Sequence, residues 1–251
     1  MDRFRAIMAA VEAGALQREH EPDKAKPRPF ITISRQAGID TESLLGKLIP
    51  RLRELDKGDP PWTGFDRKLV EKVAQDHQLH RPLVEGLEDS QRSILEDLFA
   101  GLNFESNPEP AEFVVYRRVA QTIRALSQVG RSVIVGRGGV FITKGVAGGL
   151  HLSLMAPFSD RVAWYSQSHG ISEEQAKQEV SRIDRNRTSF YARYWPEQTI
   201  GPETFTCTLN VSAIEESSLV ESIAALVPGL RVKLQVDKPP PRSASELRRH
   251  V

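Results

Sequence analysis

The chain has 251 residues, 39% of them hydrophobic and 27% charged, enough to bury a sizeable core in one large domain or two small ones. A formal net charge of +1 excludes a whole-molecule field that would recruit nucleic acid or a membrane, so phosphate binding would have to come from local clusters of Arg and Lys. The single cysteine, Cys207, excludes an internal disulfide, and no window reaches the apolar length of a bilayer span.

Residues 1–18 carry Phe4, Ile7, Met8 and Val11 at helical spacing, which predicts an amphipathic helix. Its apolar stripe has to cover either the main body or a second subunit, so a homo-oligomer could form through it. Charges interrupt its apolar residues and no signal-peptide core is present, which makes the cytoplasm the default address. Residues 19–29 are charged and contain proline, the composition of a linker. Three parts are expected: an N-terminal helix and linker over 1–29, a folded domain over 30–228, and a flexible basic, proline-containing tail over 229–251.

The domain opens with a strand over 30–34, a turn containing Gly38, and a helix over 42–55. This strand–loop–helix layout is that of a phosphate-binding loop, in which backbone N–H groups and a helix N-terminus point at phosphate. Ser34, Arg35, Gly38, Thr41 and Ser43 are the residues that could serve it, Thr41 and Ser43 as hydroxyl ligands or as helix caps. The loop nevertheless has one glycine, no lysine before Lys47, and acidic groups at Asp40 and Glu42. By motif alone an ordinary strand-to-helix turn fits better.

A weak second strand is predicted over 62–65, with Asp66 able to cap a helix over 67–78. Helices follow over 81–102 and 112–128, the latter with Phe113, Tyr116, Val119, Ala120, Ile123 and Leu126 on its apolar face. Ser132 to Val135 is a short β-branched run and reads as a strand buried on both faces. It ends in Gly136-Arg137-Gly138-Gly139, which leaves Arg137 at the carboxyl end of a central strand, where open α/β sheets bind ligands. A guanidinium is a forked donor suited to phosphate, so the local picture is an anion-binding crevice.

A fourth strand is predicted over 151–156, then helices over 159–169 and 173–194, the second opened by the capping box Ser172 to Gln175. On a helical projection Arg182, Arg185 and Arg193 fall near one face while Arg187 points away, and Asp184 could steady one of these guanidiniums. A solvated basic face is the plainer alternative. The last strand, 206–211, holds Cys207, expected to be a buried structural thiol, and the last helix covers 215–226. Five strands alternating with helices predict an α/β fold, a mostly parallel sheet covered on both faces. His77 and His80 lack a third ligand, so no metal site is expected from them.

In order and spacing these segments resemble the cytidylate kinase-like family of P-loop proteins. The matching runs are residues 31–36, 65–74, 132–138, 151–157 with Asp160 to Val162, 182–194 and 209–212. The resemblance implies a nucleoside-monophosphate-kinase fold: a three-layer α/β/α domain with a five-stranded parallel sheet, a helical acceptor region and an arginine-bearing lid. It implies ATP and Mg²⁺ as cofactors and a nucleotide or other small phosphorylated molecule as ligand.

Carried over by position, Ser34 to Ser43 would be the donor loop and Arg137 would contact acceptor phosphate. Arg161, Arg182, Arg185 and Arg187 would be lid or near-lid arginines, with Asp184 in the same site. Asp66 stands where the family has an acidic residue, beside its reading as a cap. Two departures stand out. Gly38-Ile39-Asp40-Thr41 replaces a Gly-Ser-Gly-Gly type loop, and the strand ending Gly136-Arg137-Gly138 lacks the aspartate that cytidylate kinases carry after the arginine. The expected function is therefore an ATP-dependent phosphotransferase acting on a small acceptor such as a nucleoside monophosphate. The alternative is a pseudokinase that binds a nucleotide or another anion without consuming it. Nucleic-acid binding through the basic tail is disfavoured by the balanced total charge.

Overall fold

Residues 27–58, 60–76, 80, 111–196 and 198–229 are described by a computed structural model. The helices expected over 1–18 and 81–102 and the tail expected over 229–251 lie outside these residues, Gly229 excepted. Within them the elements run β1 (Phe30–Arg35), α1 (Thr41–Leu55), β2 (Thr63–Phe65), α2 (Arg67–Gln75), α3 (Ala111–Val129) and β3 (Ser132–Val135). They continue with α4 (Gly139–Ile142), β4 (Gly149–Met155), α5 (Phe158–His169), α6 (Glu173–Tyr194), a 3₁₀ turn (Pro202–Thr204), β5 (Cys207–Asn210) and α7 (Glu216–Leu226).

The five strands form one sheet in the order β2-β3-β1-β4-β5, every pairing parallel. Parallel strands need both faces covered because their crossover helices lie there. Accordingly Ile31, Ile33, Val133, Val135, Leu150 and Leu152 pack on one side against Leu48 and Leu52 of α1 and Ile223 of α7. On the other side Phe65 and Ile134 meet Val70 and Val73 of α2, Ile123 and Leu126 of α3, and Phe141. Leu48 and Leu52 are fully buried, each contributing roughly 1.5–3 kcal/mol of transfer free energy. This is the α/β fold expected, helices on both faces of a five-stranded parallel sheet.

Strand order also fixes where a crevice opens. The chain runs from β1 to β2 and β3 on one side, then crosses to β4 and β5 on the other. The switch lies at β1, so the carboxyl ends of β1 and β3 flank the place where such sheets leave room for a ligand. Arg35 ends β1 and Arg137 follows β3.

One expectation is corrected at the far edge. Cys207 is half-buried rather than buried, because β5 is an edge strand that turns only Cys207 and Leu209 toward the core. Trp62 and Trp195 are core residues, whereas Trp164 is half-buried.

Candidate functional site

Three consecutive residues after β3 have left-handed backbone: Gly136 (φ 81°), Arg137 (φ 55°) and Gly138 (φ 71°). Glycine adopts this region freely, but for arginine it is strained by about 1–2 kcal/mol. Neighbours hold the strained residue in place. The hydroxyl of Tyr116, on α3, donates to the carbonyl of Arg137 at 2.9 Å. A side chain at Gly138 would run into the indole of Trp195, so the turn and the end of α6 are in van der Waals contact. Strain kept at one arginine, on rigid support, points to a functional position. The guanidinium pairs with Glu71 of α2, while its buried Nε has no hydrogen-bond partner among the described residues.

The α5–α6 hairpin supplies the next groups. Ala176, Val180 and the half-buried Ile183 pack with Ala37 and Val162, which turns this face of α6 toward the loop after β1. Asp184 and Arg187 share that face. Asp184 accepts from the backbone N–H of Ala37 at 2.8 Å and from Arg161 Nη1 at 2.6 Å. Arg161, almost fully buried, also donates to the carbonyls of Ala156 at 3.1 Å and Ala37 at 3.0 Å. Its guanidinium thus clamps the loop to the hairpin. Arg187 donates to the carbonyl of Arg35 at 2.8 Å and lies 3.6 Å from Asp184.

As the helical projection has it, Arg187 points away from Arg182 and Arg185, but the site lies on the Arg187 side. Arg187 faces inward, whereas Arg182 and Arg185 are exposed, Arg182 on the outside in a pair with Glu179 at 2.6 Å. Arg193 pairs with Glu112 on α3. The apolar spacing Ala176, Val180, Ile183 was the available signal: continued by one turn it reaches Arg187.

The loop after β1 is filled by the chain's own groups. Asp40 caps α1, its carboxylate accepting from the N–H of Glu42 at 2.9 Å and of Ser43 at 3.1 Å. Ala37 N–H goes to Asp184, and Gly38 (φ 88°) lies so close to the carbonyl of Arg161 that no side chain fits between them. Ser43 donates to Glu216 at 2.8 Å, and Lys47 is ion-paired to the same carboxylate. Ser34 is half-buried within β1, and Thr41 opens α1. Asp66 is an N-cap, accepting from Leu69 N–H at 2.7 Å. A phosphate would need the amides that Asp40 and Asp184 now occupy.

Positive charge gathers beside this loop. Arg35 is half-buried, and its guanidinium has no hydrogen bond or ion pair among the described residues. Burial, followed by the charges of Arg187, Arg67 and Arg137, pulls its pKa down to about 10. Arg137 and Arg187 are lowered as well, chiefly by burial, with Glu71 and Asp184 respectively opposing the shift. Four arginines from β1, α2, the β3 turn and α6 thus gather around Arg35, and the carboxylates beside them, Glu71 and Asp184, pair with Arg67, Arg137 and Arg187 but not with Arg35. A cavity of about 670 Å³, bounded by Arg35, Gly38, Asp40, Trp164, Tyr165 and Arg187, lies on one side. Another of about 380 Å³, bounded by Glu71, Tyr116, Arg137, Phe190 and Tyr194, lies on the other. Arg35, Glu71, Arg137 and Arg187 converge, while Arg182 and Arg185 do not. The contributions of Arg67, Glu71 and Tyr116 were not legible from sequence, because each depends on packing between α2, α3 and the β3 turn.

Residues 61–213, more than half of the chain, match the sequence pattern of the cytidylate kinase-like family. The chain belongs to the cytidylate kinase-like family. The matched span holds Arg137, the α5–α6 hairpin and β5, and begins after β1 and its loop. No curated protein matches the sequence. Among solved structures, an uncharacterized protein from Eubacterium ventriosum shares the fold, with a TM-score of 0.57 at 14% identity. The match covers 78% of this chain and 96% of that one. Membership in a cytidylate kinase-like family points to a kinase-like function, and among the described residues no helix is long and apolar enough to cross a membrane.

Proposed function

We propose that this member of the family is a P-loop kinase-type protein that binds a small phosphorylated ligand, of the nucleotide class, on its arginine cluster. In this reading it does so without consuming ATP, as a pseudokinase. The observation that carries the proposal is the placement of Arg35 within electrostatic reach of both Arg137 and Arg187, three guanidiniums from separate elements at the carboxyl ends of β1 and β3 with few counter-charges. Half-buried cations that outnumber their partners carry a cost that a bound anion relieves, and guanidiniums suit phosphate. The donor side supports the second half of the reading. Asp40 and Asp184 occupy amides that a triphosphate would use, and Ser43 is engaged by Glu216, leaving Thr41 as the hydroxyl for Mg²⁺. ATP with Mg²⁺ does not fit the loop in this arrangement.

Phosphoryl transfer is the second reading, and one observation favours it. Arg35 and Arg187 border one cavity and Arg137 the other, so the cations lie between two sites as they would around a moving phosphoryl group. Calorimetry with a panel of nucleoside monophosphates, followed by incubation with ATP and Mg²⁺, separates the two. Binding without turnover, abolished by Arg137→Ala, is the expected result. Turnover would establish the second reading, and absence of binding by every phosphate tested would overturn both.

A further inference from the structure

We infer that Arg35 is the phosphate anchor of this site, replacing with a side chain the cradle that the loop amides and a loop lysine would otherwise form. The inference rests on the reading that the cluster holds a phosphorylated ligand and names the group that grips it. Three observations converge. The amides of Ala37, Glu42 and Ser43 are already bonded to carboxylates of the chain itself. Lys47, the first lysine along the loop and helix, is tied to Glu216 on α7 and stands more than a turn into α1. Arg35 sits at the end of the central strand, half-buried, with no acceptor for its guanidinium among the described residues, and with cations as its electrostatic neighbours apart from Tyr191.

Geometry keeps Arg35 in that place. Its guanidinium lies against Gly136 of the β3 turn, where any side chain would displace it. Its carbonyl is held by Arg187. Arg35 and Arg187 border the larger cavity, and across the β3 turn Arg137 faces the smaller. A phosphate on Arg35 would thus be reached by a second guanidinium from either side. Such a grip suits one or two compact phosphates. It does not suit a triphosphate laid along Asp40 and Glu42, whose carboxylates border the larger cavity.

An anchoring arginine and a structural one make opposite predictions for stability. Without ligand, an unpaired half-buried cation destabilises the fold, so removing it should raise Tm. Titration calorimetry with inorganic pyrophosphate on the full chain, together with thermal melts, tests both sides. Arg35→Gln should weaken binding roughly 30-fold while raising Tm of the free protein. Arg35→Lys, which keeps the charge and loses the fork, should weaken it roughly tenfold. Lys47→Gln should change it by less than about twofold. Wild-type affinity in Arg35→Gln, or a lower Tm, would overturn the anchor role. If Arg137→Ala abolished pyrophosphate binding in that case, the ligand-binding reading would survive without it. No pyrophosphate binding by the wild type would overturn the anchor role, while binding of a nucleoside monophosphate in the same assay would leave the ligand-binding reading standing.

Discussion

Adding one methyl group at Gly138 should loosen the whole Arg137 turn. The new Cβ would lie 2.5 Å from Cζ3 of Trp195 and 3.1 Å from Cζ2, with Cη2 closer still. Trp195 cannot easily retreat, because it stacks on Phe141 at 5.1 Å and meets Tyr116 edge-on at 5.9 Å. Overpacking of this kind costs about 1–3 kcal/mol. A left-handed backbone (φ 71°) adds about 1–2 kcal/mol for alanine. The sum is about 3 kcal/mol, or a fall in Tm of roughly 6–12 °C for a folded unit of this size. Thermal and urea denaturation of Gly138→Ala measures it. Trp195→Phe removes the clashing ring atoms, so in the double variant the two changes should offset each other by roughly 1–2 kcal/mol. A Tm within about 2 °C of wild type, or strictly additive effects, would refute the claimed contact between turn and helix.

Three other changes follow from named contacts. Arg161→Lys loses the fork that joins Ala156, Ala37 and Asp184, and should cost about 2–3 kcal/mol by urea denaturation; an unchanged midpoint would count against the clamp. Tyr116→Phe removes the hydrogen bond that holds the Arg137 carbonyl, costing about 1 kcal/mol, and should weaken pyrophosphate binding measured by calorimetry. Burial pushes the carboxyl of Asp56 up, but the hydrogen bonds and charge of Arg131, with Gly58 N–H and Trp62, hold it below the ordinary carboxylate range. A depressed folded value means stability that is complete above the unfolded pKa of about 4 and is lost as pH falls through the folded one. Urea midpoints should therefore drop on acidification below about pH 4, and Asp56→Asn should flatten that drop.

The sequence by itself determined the elements. β-branched runs, the caps Asp66 and Ser172, and the apolar stripe of α3 are local signals, and the strands and helices within the described residues stand close to where they predict, the short α4 and the 3₁₀ turn excepted. Periodicity and capping depend on neighbours along the chain, so one sequence carries them. Arg137 at a strand end was equally legible, because glycines around an arginine mark a special backbone. The site's membership was decided elsewhere. Arg187 faces inward because Ala176 and Val180 bury against the loop, a contact between segments far apart in the chain. Glu71 and Tyr116 joined the site only when α2 and α3 packed beside the β3 turn. Whether Asp40 merely caps a helix or fills a phosphate cradle also depends on tertiary structure, since Asp184 and Arg161 close the same loop from the α5–α6 hairpin. Local propensity acts through a few adjacent residues, whereas charge neutralisation acts through space, and only folding brings those arginines within reach of one another.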